Sequence, residues 1–252
     1  MSSINIKQTI WNLSPLFSGD DDLKIEETKK ILEKENNAFV SRWKDRDDYL
    51  KDPATLKQAL DEFEAFLKNY GTEGGIAYYF GLRQALEEDN TNIKAKFNQI
   101  EEFATKLLNE IQFFTLRIAK IPESDQPKFL NYDGLKNYKH YLERLFVEAK
   151  YLLSEPEEKI LNLKVMPAHY NWTQMVSRFL SKEEREVLTE DGKSEQKSFS
   201  EIMSLINSQA KSVRDKAAEE LNQIFKKHVE VAEAELNSVL QNKKIDDDLR
   251  KM

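Results

Sequence analysis

The sequence predicts a mostly α-helical protein, an elongated bundle of long antiparallel helices with one small β-hairpin. The chain has only 7 Gly and 6 Pro in 252 residues, whereas 33% of its residues are charged. Few helix breakers and many charges favour long amphipathic helices, and apolar residues recur at helical spacing over most of the chain. The dipeptide Asp191-Gly192 lies where apolar and charged residues alternate, which indicates a hairpin turn.

The first three helices are predicted to follow an extended lead-in of about 23 residues. Carboxylates in Gly19–Leu23 suit a helix N-terminus, and Pro53 suits the first turn of a second helix. The glycines of Tyr70–Gly75 end that helix, and a short helix is predicted from Ile76 to Glu87. The apolar stripes of the first two helices are Ile25, Leu32, Phe39, Trp43 and Leu50, and then Leu56, Leu60, Phe63, Leu67 and Tyr70.

The most regular segment of the sequence is an apolar heptad from Ile93 to Ile118. It predicts a long helix of the bundle, and a dimerising coiled coil is the alternative. Its members alternate between steps of four and three residues: Ile93, Phe97, Ile100, Ala104, Leu107, Ile111, Phe114 and Ile118.

The sequence in the middle of the chain predicts a loop followed by three helices. Pro, Asp and Gly residues in Lys120–Gly134 indicate a loop, which is the clearest candidate domain boundary. The helix after it has Leu135, Tyr138, Leu142, Leu145 and Phe146 on its apolar side. A capping box at Ser154–Glu157 predicts a second helix that runs to about Val165, and a third carries Trp172, Met175 and Phe179.

The sequence of the last part of the chain predicts the hairpin and one long helix. Ser200 and Ser212 each suit an N-cap. The long helix has one apolar face, made of Val213, Ala217, Leu221, Ile224, His228, Ala232, Leu236 and Val239. We therefore expect three blocks: a helical region at 1–120, a helical domain at 121–182, and the hairpin with the last helix at 183–252.

Composition excludes several classes of protein. The chain has no Cys, so disulfides, thiolate metal sites and a Cys nucleophile are excluded, which fits a reducing cytosol. A net charge of −7 argues against nucleic acid or an anionic membrane as the main partner. The N-terminus has no signal-peptide pattern, and no apolar stretch approaches the roughly 18 residues of a membrane helix.

Candidate catalytic residues are few. His140 and Glu143 lie three residues apart and share a helix face, a spacing that suits half of a metal site or two surface residues. His169 and His228 are distant in sequence, and no His-Glu-x-x-His motif is present. We interpret His169 as a packing or capping residue, and His228 as a hydrogen-bonded histidine of a core or interface. No phosphate loop, calcium loop or nucleophile elbow occurs.

Several segments in a fixed order resemble one protein family. From Tyr138 the chain reads "YKHYLERL", "LLSEPEEKIL", "NWTQM", a hairpin around "DGK", "SFSEIMSLINSQAKSVRDKAAEEL" and "KKIDDDLRKM", while "WNLSPLF" stands at Trp11–Phe17. These segments resemble the N-terminal half of oligoendopeptidase F, of the thimet-oligopeptidase-like zinc metallopeptidases. The resemblance covers nearly the whole chain and is most specific from Lys211 to Leu249.

The resemblance implies a cytoplasmic enzyme family that hydrolyses short peptides with zinc. Its N-terminal helices and a hairpin form one wall of the substrate channel, so residues 121–182 would be its N-terminal helical domain and 183–252 the start of a peptidase domain. No residue matches the family's metal ligands or catalytic base, so no catalytic, cofactor-binding or metal residue is assigned and no cofactor is expected in this chain.

The sequence stops at Met252, so the resemblance implies a non-catalytic portion: a fragment, a truncated product or half of a split enzyme. Alone, it should not hydrolyse peptide bonds, because zinc supplies the Lewis acid and the activated water. Exposed apolar surface would be covered by a catalytic half or by a self-partner. The alternative is a stand-alone helical protein that oligomerises through the heptad.

Overall fold

The computed structural model describes residues 11–71, 73–87 and 90–252. The chain divides into two compact units, one that reaches to Lys150 and one from Tyr151 to Met252. The described residues confirm the mostly helical class with an antiparallel two-stranded hairpin. Within those residues, no helix combines the length and the apolar character that crossing a bilayer requires.

The first unit consists of helices joined by short turns. Its α-helices are α1 (Leu23–Trp43), α2 (Pro53–Asn69), α3 (Ile76–Leu86), α4 (Thr91–Ile111), α5 (Phe113–Ala119), α6 (Gln126–Leu130) and α7 (Lys139–Glu148). Short 3-10 helices span Asp48–Leu50 and Asp133–Tyr138. Of the predicted extended lead-in, residues 1–10 lie outside the described residues, and residues 14–16 and 18–21 form turns and bends.

Side-chain caps begin the first two helices where the sequence predicts. The Asp22 carboxylate accepts a hydrogen bond from the N–H of Lys24 at 3.0 Å, and the Asp52 carboxylate accepts one from the N–H of Thr55 at 2.8 Å. These bonds satisfy amides that have no partner inside a helix. Pro53 occupies the first turn of α2, where its missing N–H costs nothing.

The predicted heptad stripe is buried inside the first unit. All its members are buried except Phe97, which is half-buried, and they face α1, α3 and α7. The prediction of a single long helix is wrong in one respect, because the helix is divided at Gln112 into α4 and α5. Since the stripe packs against its own chain, it is not available for a coiled coil with a second chain.

Two clusters of buried apolar side chains form the core of the first unit. One joins α1, α3 and α4, and Phe17 packs into it against Tyr79 with ring centroids 5.3 Å apart. The other joins α1, α2 and α5–α7, with Phe114 near its centre. Phe114 meets the rings of Phe39, Tyr49 and Phe63 at centroid distances of 5.1, 5.4 and 5.1 Å.

The predicted loop at 120–134 contains a short helix. Gln126–Leu130 form α6, because a proline in the first turn begins a helix rather than breaking one. Phe129 is fully buried in the same cluster as Phe114 and Leu142. The candidate boundary at residues 120–121 therefore falls inside the first unit.

The second unit combines helices with the hairpin. Its elements are α8 (Glu155–Val165), a π-helical turn (Met166–Tyr170), α9 (Asn171–Ser181), β1 (Glu184–Leu188), β2 (Ser194–Ser198), α10 (Phe199–Leu205), α11 (Lys211–Lys227) and α12 (Val229–Arg250). A 3-10 turn, Ala149–Tyr151, spans the boundary between the units. Its buried core is small, with Val187 of β1 packed against Ile202, Ala217, Leu221 and Ile224.

Capping boxes begin two helices of the second unit. The predicted box at Ser154 is present, and Glu157 accepts the N–H of Ser154 at 2.8 Å. The N-cap of α10 is Ser198 and not Ser200, because Glu201 stands three residues after Ser198 and completes its box at 2.8 Å. The N-cap of α11 is Ala210, which places Ser212 inside the helix.

The hairpin forms around the predicted dipeptide Asp191-Gly192. Strand β1 pairs with β2 so that Glu184 faces Ser198 and Leu188 faces Ser194. The N–H of Gly192 donates to the carbonyl of Thr189 at 3.0 Å, and Gly192 has a φ of 80°. A left-handed residue after a turn of this type is a common way to join two strands.

Gly192→Ala is expected to destabilise the hairpin by about 1 kcal/mol, because a Cβ is unfavourable at this positive φ. Faster amide exchange of β1 and β2 is the measurement. Gly19→Ala is the control, since its backbone is not left-handed and an added Cβ meets nothing within 4 Å. Equal effects at both positions would contradict the expected role of the φ angle.

The predicted last helix is broken at His228. The N–H of His228 bonds the carbonyls of both Ile224 and Phe225 at 3.2 Å, and its φ and ψ of −106° and 10° are not helical. The apolar face is therefore buried only as far as Ile224. Beyond the break, α12 turns Leu236 to solvent.

Candidate functional site

The structure places His140 and Glu143 on the exposed surface of α7. Their neighbour Arg144 pairs with Glu148 one turn further along the helix, at 2.7 Å. His169 lies in the π-helical turn, with its ring edge-to-face against Tyr170 at 5.4 Å. None of these positions brings the side chains into a catalytic arrangement.

His228 is part of a cluster of basic side chains around a buried carboxylate. Its Nε2 lies 2.7 Å from Oε1 of Glu183, a carboxylate that is 5% exposed. Lys227 donates to the same oxygen at 2.5 Å, and Arg185 pairs with Oε2 at 2.5 Å. The His228 ring stacks on Phe179 with an interplanar angle of 9°. The hydrogen-bonded histidine that the sequence predicts is thus found, with Glu183 as its partner.

Three elements position this cluster. Glu183 lies between α9 and β1, where its N–H donates to the carbonyl of Leu180 at 3.0 Å. Its own carbonyl accepts the N–H of Phe199 at 2.9 Å, at the open end of the hairpin. Lys227 and His228 come from the junction of α11 and α12. The carboxylate therefore fastens the base of the hairpin to the junction between two helices.

The electrostatics of Glu183 oppose a role in proton transfer at neutral pH. Burial alone would raise its pKa, but hydrogen bonds from Lys227, His228 and Arg185 outweigh burial and lower the pKa to about 2. A general base works best with a pKa near the working pH. Glu183 stays ionised and bound to its three basic partners, so it acts as a structural anchor.

A second buried ion pair ties the end of α12 to the start of α8. Arg250 donates to both oxygens of Glu158, at 2.6 and 2.8 Å, and to the carbonyl of Tyr151 at 3.1 Å. The same carboxylate accepts the N–H of Leu153 at 3.0 Å. Planar, two-pronged pairing of this kind needs the guanidinium group.

Arg250→Lys is expected to destabilise the attachment of α12 to α8 by about 1–2 kcal/mol, because an ammonium cannot bond both oxygens of Glu158 and the Tyr151 carbonyl. Amide exchange of α12 should increase at its C-terminal end. Gln241→Ala, at an exposed position of α12, is the control and should leave exchange unchanged. Unchanged protection in Arg250→Lys would show that charge alone holds the helix.

A charged cluster in the first unit holds the segment before α1. The Asp20 carboxylate accepts from Arg83 at 2.8 and 3.0 Å and from the Tyr79 hydroxyl at 2.9 Å. Arg83 is the main cause that lowers the pKa of Asp20, while burial and then Asp20 raise the pKa of Tyr79 to about 12. Lys96 bonds the Asp20 carbonyl at 2.7 Å beside a cleft of about 220 Å³. These contacts fasten the segment to α3 and α4.

The described residues do not fit the zinc site of the family that the sequence resembles. Among them, no three His, Cys, Asp or Glu side chains come together in a metal-binding group, whereas a catalytic zinc takes three protein ligands. Glu183 and His228 are in contact. Lys227 and Arg185 also bind the Glu183 carboxylate, and their positive charges would repel a metal cation there. We derive no zinc-dependent step for these residues.

The sequence alone does not single out Glu183 or Arg250. Glu183 is one of three glutamates in Glu183–Glu186, and nothing in the order of residues separates it from the exposed Glu184. The signal for Arg250 is equally weak, because its partner Glu158 lies 92 residues away. Only the folded arrangement of α8, α11 and α12 brings these partners into contact.

Comparisons with known proteins agree on one family. The sequence model described as Oligopeptidase F matches residues 117–177. A curated oligoendopeptidase F homolog from Borreliella burgdorferi is 27% identical over 160 residues, which are 60% of this chain and 24% of that protein. The crystal structure of oligoendopeptidase-F from Enterococcus faecium has a TM-score of 0.71 at 16% identity, over 90% of this chain and 43% of that chain.

The chain thus spans about a quarter of the curated relative and less than half of the solved one. At 16% identity the structural likeness shows a shared fold. The match of the family's sequence model runs from α5 to α9. This part of the chain includes the first segments that resemble the family, which begin at Tyr138.

Proposed function

We propose that the chain is the N-terminal, non-catalytic portion of a zinc oligopeptidase of the oligoendopeptidase F family, whose sequence model matches residues 117–177. In this proposal the chain forms one wall of a channel that admits short peptides. The enzyme acts in the cytoplasm. Hydrolysis then requires a catalytic part with a His-Glu-x-x-His helix, which these 252 residues do not contain.

The observation that carries this proposal is a family match in a chain whose described residues include no group of three His, Cys, Asp or Glu side chains placed to hold a metal ion. The match covers residues 117–177. The three histidines of the sequence are dispersed, and His228 is engaged by Glu183. A chain of this kind contributes shape and positioning, while the Lewis acid and the activated water come from the catalytic part.

Zinc content and peptide cleavage of the purified chain test the proposal. We expect the chain to bind no stoichiometric zinc after incubation with the metal and to leave a fluorescence-quenched peptide library uncut. One equivalent of zinc together with cleavage that a chelator abolishes would overturn the proposal. His140→Ala, His169→Ala and His228→Ala variants would then identify the ligands.

The origin of the catalytic part is tested by the genome. We expect the nucleotide sequence that follows codon 252, or a neighbouring gene, to encode a His-Glu-x-x-His helix. Co-expression of the two parts should give chelator-sensitive cleavage of short peptides and none of folded proteins. A genome with no such coding sequence after codon 252 or in a neighbouring gene would refute the proposal that the chain is a truncated product or one half of a split enzyme.

A further inference from the structure

The turn of the hairpin contains a dipeptide that is chemically reactive in flexible chains. In Asp191-Gly192 the glycine has no side chain to shield its nitrogen, so this nitrogen can attack the carboxyl group of the aspartate before it. The attack requires the neutral form of the carboxyl group and a backbone that rotates until the two groups meet. The sequence has one other Asp-Gly dipeptide, Asp133-Gly134, which lies in the first unit.

The folded turn holds both reacting groups of Asp191-Gly192. The N–H of Gly192 donates to the carbonyl of Thr189 at 3.0 Å. The Asp191 carboxylate is bound at both of its oxygens, because Oγ1 of Thr189 lies 2.5 Å from Oδ1 and Nζ of Lys193 lies 2.9 Å from Oδ2. The main-chain N–H of Lys193 donates to Oδ1 at 3.4 Å. The nitrogen and the carboxylate are thus kept in separate hydrogen bonds.

The same contacts favour the ionised form of the carboxyl group. The Thr189 hydroxyl is the main cause that lowers the pKa of Asp191, and Lys193 lowers that pKa further. A carboxylate is a poor target for a nitrogen nucleophile, because it is negatively charged and has no hydroxyl group to lose as water. Since a lower pKa leaves a smaller neutral fraction at neutral pH, these contacts also slow the chemical step.

We propose that Asp191 is a site of isoaspartate formation, and that Thr189 and Lys193 suppress this reaction while the hairpin is folded. In the first step the Gly192 nitrogen bonds to Cγ of Asp191, the bond from Cγ to the hydroxyl oxygen breaks, and the hydroxyl group leaves with the amide hydrogen as water. In the second step water opens the resulting ring at the main-chain carbonyl of Asp191. The product is an isomer of the original chain, so the reaction requires no oxidant or reductant.

Isoaspartate at this position would disrupt the hairpin. The main chain of isoaspartate passes through the former side chain, which adds one carbon atom to the turn. The native turn is closed by the bond from Gly192 to Thr189, and it joins strands in which Leu188 faces Ser194. Since the length of the turn fixes the register of the two strands, a longer backbone does not fit this pairing. We therefore expect faster amide exchange in β1 and β2 of the modified chain.

Incubation of the purified chain at neutral pH, followed by digestion and chromatographic separation of the Asp191 and isoaspartate peptides, tests the proposal. In the natural chain, isoaspartate should form several-fold faster in urea than in buffer. Thr189→Val removes the hydroxyl but keeps the branched side chain, and Lys193→Gln removes the ammonium group. Each substitution should raise the rate in buffer several-fold. Ser194→Ala, at an exposed position of β2, is the matched control and should leave the rate unchanged.

Asp133-Gly134 is the internal reference, and its rate in buffer should be the same in every variant. Lys193→Gln leaves the main-chain bonds of the turn in place, so amide exchange of β1 and β2 should show a folded hairpin in this variant. Equal rates at Asp191 in buffer and in urea, or a rate in buffer that neither substitution raises, would overturn the proposal. The proposal does not depend on the peptidase role, since its tests detect an isomerised residue while those of the proposed function detect zinc and cleavage.

Discussion

Phe114→Ala is expected to destabilise the first unit by about 3–5 kcal/mol. Phe114 is fully buried, and rings from α1, α2 and the Asp48–Leu50 turn contact it. Its removal loses the transfer free energy of the ring and leaves a cavity among three aromatic neighbours, which can close only in part. Since small domains are stable by only about 5–15 kcal/mol, this change should bring the unit close to unfolding at ambient temperature.

Urea unfolding followed by tryptophan fluorescence measures this loss. Trp43 is buried in the same cluster and packs edge-to-face on Tyr49, so its emission reports on that core. Tyr78→Ala removes an exposed aromatic ring from α3 and is the matched control, with an expected change within about 0.5 kcal/mol. A cost below about 1 kcal/mol for Phe114→Ala would mean that this cluster does not hold the unit together.

The position of Phe114 in the core could be predicted from the sequence, whereas that of Phe129 could not. Phe114 belongs to a heptad, and periodic apolar spacing identifies a buried face whatever the helix packs against. Phe129 lies in a segment that contains several Pro, Asp and Gly residues and no helical apolar repeat, so local composition indicates a loop. Its burial results from α6 lying against α7, a tertiary contact that has no counterpart in local pattern.

The charge clusters show even more strongly that local sequence patterns do not reveal tertiary contacts. Local rules predicted the capping box at Ser154 and the hairpin turn at Gly192, because both depend on residues within a few positions of each other. The cluster of Glu183 depends on residues 44 and 45 positions away. The break at His228 lies beside the same cluster, because the His228 side chain contacts that distant carboxylate.

Glu183→Gln is expected to destabilise the second unit by about 2–3 kcal/mol at neutral pH. The amide keeps the shape of the side chain but removes the negative charge that Lys227, Arg185 and His228 share. Amide exchange should rise in β1 and at the end of α11, the two segments that the carboxylate joins. Glu184→Gln is the control, because the neighbouring glutamate is exposed and faces away from the cluster.

The pH dependence separates this charge from other effects of the substitution. The pKa of Glu183 is about 2 in the folded chain, below its ordinary value of 4.5, so the folded state binds the proton less readily than the unfolded state. Its contribution to stability is therefore complete above about pH 4.5 and is lost as the pH falls towards 2. The difference in unfolding free energy between the natural chain and Glu183→Gln should shrink at about pH 3. A difference that stays constant with pH would assign the loss to packing, and the three basic partners would then not be what holds the hairpin to the helix junction.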